Sequence, residues 1–304
     1  MDHLYPIWAW AAFVAVIVVA LALDLRLFQQ ESPAPGIWQS LRWSAVWFLL
    51  AMAVAGAIAW RGGSDDALQF LTGYLVEYSL SLDNIFAIAL ILAYFQVAPN
   101  QQHRVLFWGI LGALLMRGLM IGVGVELLAQ FHWFYYVMGA FLLWTGLRWG
   151  FSKGAMVEPG KNRVVLLARK FFPVAPDGPG FFGKVGGRRA LTPLALALLT
   201  VEATDLIFAT DSIPAIFAVT QTPFIIFSSN LCAVLGLRSL YFLLAEALRH
   251  FRYLKTGLAL VLIFIGAKML VSFRWPIPTS ITLVVIVVLL GVSALLSVMT
   301  RPKP

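Results

Sequence analysis

Long apolar stretches, broken by short polar, glycine or proline clusters, run through the whole chain. A helix that crosses a bilayer needs roughly 20 mostly apolar residues. Nine stretches meet that length, at about 7–28, 41–60, 67–95, 104–127, 132–150, 191–219, 223–247, 254–272 and 277–299. The breaks between them include Arg61-Gly62-Gly63-Ser64-Asp65-Asp66 and Arg274-Trp275-Pro276. This pattern predicts an all-α polytopic membrane protein of about nine transmembrane helices, with residues 1–304 forming a single transmembrane domain. The first stretch ends in Asp24-Leu25-Arg26 rather than a small-residue cleavage site, and residues 1–6 lack a basic segment. It therefore reads as the first span and not as a signal peptide.

Composition supports lipid as the solvent. Hydrophobic residues make up 61% of the chain and charged residues only 12%, with a mean hydropathy of +0.87. A soluble domain carries about 25% charged residues. Cys232 is the single cysteine, which rules out an internal disulfide, and no zinc-type spacing occurs. No nucleophile with a base, glycine-rich phosphate loop or redox cysteine pair is apparent, so we do not expect an enzyme, and no organic cofactor is implied.

Lysine and arginine placement sets the expected orientation. The connection 151–190 holds Lys153, Lys161, Arg163, Arg169, Lys170, Lys184, Arg188 and Arg189 against only Glu158 and Asp177. Arg249, Arg252 and Lys255 join spans seven and eight, and Arg301 and Lys303 follow the last. In a nine-span chain all three regions fall on one side. We thus expect 151–190 to be a basic cytoplasmic loop, the C-terminus to be cytoplasmic and the N-terminus to lie outside. The net charge of +8 then reflects these loops, and no nucleic-acid partner is needed.

An internal repeat adds architecture. Span three reads Glu77-Tyr78-Ser79-Leu80-Ser81-Leu82-Asp83-Asn84-Ile85-Phe86-Ala87-Ile88; span six reads Asp205-Leu206-Ile207-Phe208-Ala209-Thr210-Asp211-Ser212-Ile213-Pro214-Ala215-Ile216. Arg117-Gly118-Leu119 matches Arg238-Ser239-Leu240, and Thr145-Gly146-Leu147-Arg148 matches Ile265-Gly266-Ala267-Lys268. The offsets are 128 residues for the acids, then 121 and 120. Each unit holds three helices, an odd number, so spans 3–5 and 6–8 should form an inverted repeat joined by the 151–190 loop. In secondary transporters such repeats place the substrate site at their interface near the midplane.

The acids concentrate in these motifs. Asp24, Glu77, Asp83, Glu202, Asp205, Asp211 and Glu246 all fall within the apolar stretches. A carboxylate at a helix centre costs about 2.5–3.5 kcal/mol on insertion scales, so it normally faces a partner, a cavity or a substrate. Glu77 and Asn84 share a helical face, as do Asp205 and Ser212, with Asp83 and Asp211 one step away. Pro214 frees the carbonyl of Thr210, and a local unwinding there would turn Asp211 inward. With Thr204 and Thr210 the available ligands are all oxygen, which suits Mg²⁺, Ca²⁺ or Mn²⁺ better than Zn²⁺ or Cu⁺. A purely structural role is the competing reading: Arg117 and Arg238 would pair with the motif acids, and Arg26 and Arg249 with Asp24 and Glu246. Arg148 and Lys268 sit where helix dipoles favour cations, and the eleven tryptophans suit lipid-facing positions.

At these motifs the chain resembles the TerC family of integral membrane proteins. The resemblance rests on Glu77, on Ser81-Leu82-Asp83-Asn84-Ile85-Phe86-Ala87, and on Glu202-Ala203-Thr204-Asp205 continuing through Asp211-Ser212-Ile213-Pro214-Ala215. Asp24-Leu25-Arg26 is similar to the family's N-terminal pattern. The resemblance extends over about residues 7–300. It implies manganese efflux at a bacterial inner membrane, with Glu77, Asp83, Asp205 and Asp211, together with Asn84 and Ser212, forming the metal site. In some members it implies links to pH response and to metal supply for exported enzymes. The family takes its name from tellurium resistance, but an acidic pocket disfavours an oxyanion.

The expectation is a secondary transporter exporting Mn²⁺ as substrate, through Glu77, Asp83, Asn84, Glu202, Asp205, Asp211 and Ser212, with proton coupling a weaker element. Asp24, Thr210, Arg117 and Arg238 are secondary candidates. The alternatives are a Ca²⁺ or Mg²⁺ transporter, or a non-transporting membrane scaffold that binds partner proteins during envelope stress.

Overall fold

The computed structural model describes residues 5–28, 37–151, 162–175, 178, 180–244, 253–272 and 274–299. In chain order the helices are α1 (Ile7–Phe28), α2 (Ile37–Gly62), α3 (Ser64–Tyr94), α4 (Pro99–Gln130), α5 (Trp133–Phe151) and α6 (Arg163–Phe171). A hairpin of β1 (Phe182–Val185) and β2 (Arg188–Leu191) follows. Then come α7 (Pro193–Phe217), α8 (Pro223–Leu235), α9 (Leu237–Leu244), α10 (Leu254–Val271) and α11 (Thr279–Met299).

Helix starts follow local chemistry. Pro99, Pro193 and Pro223 each occupy the first turn of a helix, where a missing N–H is harmless. The Thr192 hydroxyl caps α7 by accepting from the Ala195 N–H at 3.3 Å. Gly63, at φ 90°, makes the sharp turn from α2 into α3.

Every apolar stretch carries a helix, with α8 and α9 together occupying the seventh as far as Leu244. Among the described residues six helical runs are long and apolar enough to cross a membrane: Trp38–Gly62, Ser64–Tyr94, Pro99–Gln130, Pro193–Phe217, Pro223–Phe242 and Thr279–Ser297. Ile7–Ala22 and Thr256–Val271 are shorter apolar helices. The protein is thus polytopic and mostly helical, with the small hairpin inside the 151–190 connection as an addition to the all-α expectation.

Two local expectations change. α7 continues through Pro214 to Phe217 without unwinding. A proline this close to a helix end removes only one of the last internal hydrogen bonds, so the helix tolerates it. A one-residue interruption falls in the seventh stretch, at Gly236 between α8 and α9, where φ −70° and ψ −16° remain helical.

α3 is central, packing against α2, α7, α8, α9 and α11. α8 is buried along most of its length. α4 and α11 turn Leu115, Leu119, Val284 and Leu295 outward, each at least 60% exposed. Such apolar exteriors have no place in water and suit hydrocarbon. α5 and α10 pack closely because glycines remove the intervening side chains. A Cβ on Gly266 would lie 2.6 Å from the Leu143 amide nitrogen and 2.7 Å from the Gly139 carbonyl oxygen. One on Gly146 would lie 2.8 Å from the Ile263 nitrogen and 2.9 Å from the Ala259 oxygen. α1 docks through rings: Tyr5 stacks on Phe224 at 4.5 Å, and Trp10 and Phe13 meet the same ring edge-on.

Candidate intramembrane charge site

Arg117, just past the middle of α4, is completely buried. A guanidinium cannot be deprotonated in such a place and must find acceptors. It finds them on both motif helices. Its Nε and Nη2 donate to Asp205 Oδ2 and Oδ1 at 3.1 and 2.9 Å, a two-pronged pairing, and Nη1 donates to Glu77 Oε1. Nη1 also reaches Ser212 Oγ at 3.5 Å. Asn84 Nδ2 donates to Asp205 Oδ1 at 3.2 Å, and Ser81 Oγ reaches Glu77 Oε1 at 3.4 Å. One guanidinium therefore ties α3, α4 and α7 together through Glu77 and Asp205, the two acids that open the repeat motifs.

The network leaves acceptors over. Glu77 Oε2, Asn84 Oδ1 and Glu202 Oε2 are buried oxygens without a hydrogen-bond donor. Buried polar atoms are nearly always paired, so unpaired ones call for a physical explanation. Glu202 lies one turn before Asp205, close enough for their charges to interact, and its carboxylate presses against Gly112 of α4. Only a glycine leaves room there. A cavity of about 30 Å³ adjoins, lined by Asn84, Thr204 and Asp205 among apolar residues that include Ile88 and Leu237. It is large enough for one water-sized occupant.

The remaining predicted residues fall elsewhere or beyond description. Asp211 is buried but faces Thr145 and Arg148 of α5, one helical step away from the Arg117 network. Thr210 is exposed, and its hydroxyl donates to the Ile207 carbonyl of its own helix at 2.6 Å. The side chains of Asp24, Asp83 and Arg238, and the whole of Glu246, lie outside the described residues. Among the described residues no three acidic, histidine or cysteine side chains gather as a ready metal cage. Arg148 stands over the Trp144 ring at 5.3 Å. Lys268 is buried and donates to the Ala218 carbonyl, just past the end of α7, at 3.2 Å. That placement serves the helix C-terminus, where a cation is favoured.

The sequence marked Arg117 as a neutralising partner, but it did not reveal that a single arginine serves both acids. Gly112 and Thr145 went unnoticed as well. Gly112 had one signal, its position five residues before Arg117 on a helix that meets the motif span; Thr145 had only its place in the third repeated segment.

A bundle of apolar-faced helices around a buried charge network is an integral, multi-pass membrane protein. The chain belongs to the integral membrane protein TerC family, whose pattern matches residues 62–304. It is 47% identical over 290 residues to the uncharacterized membrane protein STKORF319 of Myxococcus xanthus, covering 95% of this chain and 91% of that one. It is 42% identical over 288 residues to the putative membrane-bound redox modulator Alx of Escherichia coli (strain K12), covering 91% and 90%. An uncharacterized membrane protein of Rickettsia bellii is 36% identical over 295 residues, with 96% and 98% covered. These relatives extend the likeness across α1 and α2, which precede the family match. No solved structure matches the chain.

Proposed function

We propose that the protein is a secondary transporter that exports a hard divalent cation, with Mn²⁺ as the leading substrate, and that it is not an enzyme. The observation that carries this reading is the surplus of buried oxygen acceptors on the two motif helices: Glu77 Oε2, Asn84 Oδ1 and Glu202 Oε2 have no donor, while one arginine bridges Glu77 and Asp205, and Asn84 and Asp205 line an ion-sized cavity. Carboxylate and amide oxygens without donors are hard ligands, and among the described residues no imidazole or thiolate gathers with them.

In this reading Arg117 stands in for the cargo when the site is empty of metal. Two carboxylates against one guanidinium leave the network net negative, so an arriving cation is attracted and competes with Arg117 for Glu77 and Asp205. Glu202, Asn84, Ser212 and the motif acids Asp83 and Asp211 complete the path. Protons released or taken up by these acids would couple the exchange.

Reciprocal packing supports the inverted repeat. Gly146 meets Ala259 and Ile263; its repeat counterpart Gly266 meets Gly139 and Leu143, which are the counterparts of Ala259 and Ile263 at the same 120-residue offset. The pairs α3–α8 and α4–α7 are likewise exchanged by the repeat and both pack closely. A contact in which i meets j and the equivalent of i meets the equivalent of j is the signature of a two-fold relation. With α1, α2 and α11 added to two three-helix units, the chain makes nine crossings of a bacterial inner membrane, N-terminus outside and C-terminus cytoplasmic.

Some relatives carry the name putative membrane-bound redox modulator. In this chain Cys232 is the sole cysteine and is buried, so an internal dithiol switch is not available. The deciding experiment is flux in proteoliposomes with Mn²⁺, Mg²⁺, Ca²⁺ and Zn²⁺, comparing the parent with Asp205→Asn and with Asp83→Asn/Asp211→Asn. Manganese flux that disappears in the variants is expected. Absence of flux for every metal by correctly inserted protein would overturn the transporter reading in favour of a membrane scaffold.

A further inference from the structure

Within the connection between α5 and α7, the described α6 and β1–β2 hairpin pack at one end of the bundle. Val165 of α6 is fully buried with Val105 and Leu106 from the start of α4 and Leu194 and Ala195 from the start of α7. The end of α3, at Phe95 and Val97, joins the same cluster. α6 is therefore held at the level where several membrane helices begin or end, which is where a bilayer's headgroups lie.

The apolar surface of α6 is wider than the surface it buries against the bundle. Val165 and Ala168 face inward. Val164, Leu167 and Phe171, spaced i, i+3 and i+7, form an adjoining stripe that is 40%, 55% and 72% exposed. Arg169 and Lys170 are exposed on the remaining surface, with Leu166, 52% exposed, between them. The hairpin brings a further ring, Phe182 at 70% exposed, and exposed Lys184, Arg188 and Arg189. Gly186 and Gly187, at φ 57° and 79°, form the tight turn that sets this hairpin. From 162 to 192 the sequence contains Asp177 as its single acid.

Three directions thus differ in chemistry around one helix: bundle, apolar and exposed, basic and exposed. An apolar stripe flanked by lysine and arginine at headgroup depth matches an interfacial helix, whose apolar side enters the acyl boundary while its cations meet lipid phosphates. We propose that α6 and the β1–β2 hairpin form a membrane-surface anchor, inserting Val164, Leu167 and Phe171 among lipid chains and engaging anionic phospholipid headgroups through Arg169, Lys170, Lys184, Arg188 and Arg189. The anchor would hold the connection between the two repeats against the bilayer and fix the level of the α7 N-terminus.

Site-directed spin labelling tests this. Single cysteines, Leu167→Cys, Phe171→Cys and Arg169→Cys, are introduced in a Cys232→Ala background with the helical content and dispersity of the parent. The labelled full-length proteins are placed in nanodiscs of phosphatidylethanolamine and phosphatidylglycerol. Labels at 167 and 171 should collide preferentially with oxygen, and the label at 169 with a water-soluble nickel complex. Preference for nickel at all three positions, or shielding of 167 and 171 from both colliders as under a protein partner, would overturn the anchor. Replacing phosphatidylglycerol with phosphatidylcholine should make the 171 label several-fold more accessible to nickel. An unchanged depth would overturn the anionic-lipid assignment.

Discussion

Arg117 and Asp205 are joined by two hydrogen bonds, Nε to Oδ2 at 3.1 Å and Nη2 to Oδ1 at 2.9 Å, in a site where the arginine is wholly buried. The guanidinium's third direction carries Glu77. Arg117→Ala would leave two interior carboxylates without their cation. Removing one partner of a buried ion pair costs about 3–5 kcal/mol, so the variant should lose a large part of its thermal stability in detergent. Arg117→Lys should recover only part of it, because an ammonium cannot reproduce the planar fork. A melting curve unchanged by Arg117→Ala would mean that this network does not hold the helices together.

Neutralising the acids should separate transport from folding. Asp205→Asn and Glu77→Gln keep the shape of each side chain but reduce the negative charge that attracts a cation. We expect manganese flux to fall at least about ten-fold, corresponding to ~1.4 kcal/mol, in protein that still inserts and elutes as the parent does. Thr210→Ala is the matched control, since its hydroxyl bonds only to its own helix; its flux should stay within about two-fold of the parent, in line with the small effects of surface changes. Comparable losses at Thr210 and Asp205 would remove the basis for this site.

The α5–α10 contact should be intolerant of a single methyl group. A Cβ on Gly266 would meet backbone atoms of Gly139 and Leu143 at 2.6–2.7 Å, and backbone cannot step aside as a flexible side chain can. Gly266→Ala should therefore destabilise by about 1–3 kcal/mol. Gly56→Ala, where nothing lies within 4 Å of the new Cβ, should be neutral or stabilising by up to ~1 kcal/mol through helix propensity. Thermal unfolding of the two variants side by side checks both signs.

Tyr5 ties the N-terminal helix to the start of α3 by donating to Asp66 Oδ2 at 2.7 Å. Burial, followed by the neighbouring Asp66 carboxylate, pushes the phenol's pKa up. A raised folded-state value means that this contribution is complete below the ordinary tyrosine range of about 10 and is lost as the pH climbs through the folded-state pKa. Tyr5→Phe should lower stability by about 1 kcal/mol at neutral pH. The gap between variant and parent should stay level from pH 7 to 9 and shrink above about 10. A gap that widened with alkalinity would contradict the assigned bond.

What the sequence determined by itself was the class of protein and the position of its elements. Apolar run length sets helix length across a bilayer, so each stretch from Ile7 to Met299 could be placed to within a few residues of the helix found there. The Glu77 and Asp205 motifs were legible for the same local reason, because an acid inside such a run is costly and stands out. The tertiary structure decided which groups meet. Asp211 and Asp205 are close in sequence, yet helical rotation sends one toward Arg148 of α5 and the other onto Arg117 of α4. A linear motif records spacing along one helix, whereas the partner across a contact depends on how three helices cross. For the same reason the interruption at Gly236, the continuity through Pro214 and the outward apolar stripe of α6 emerged only from packing.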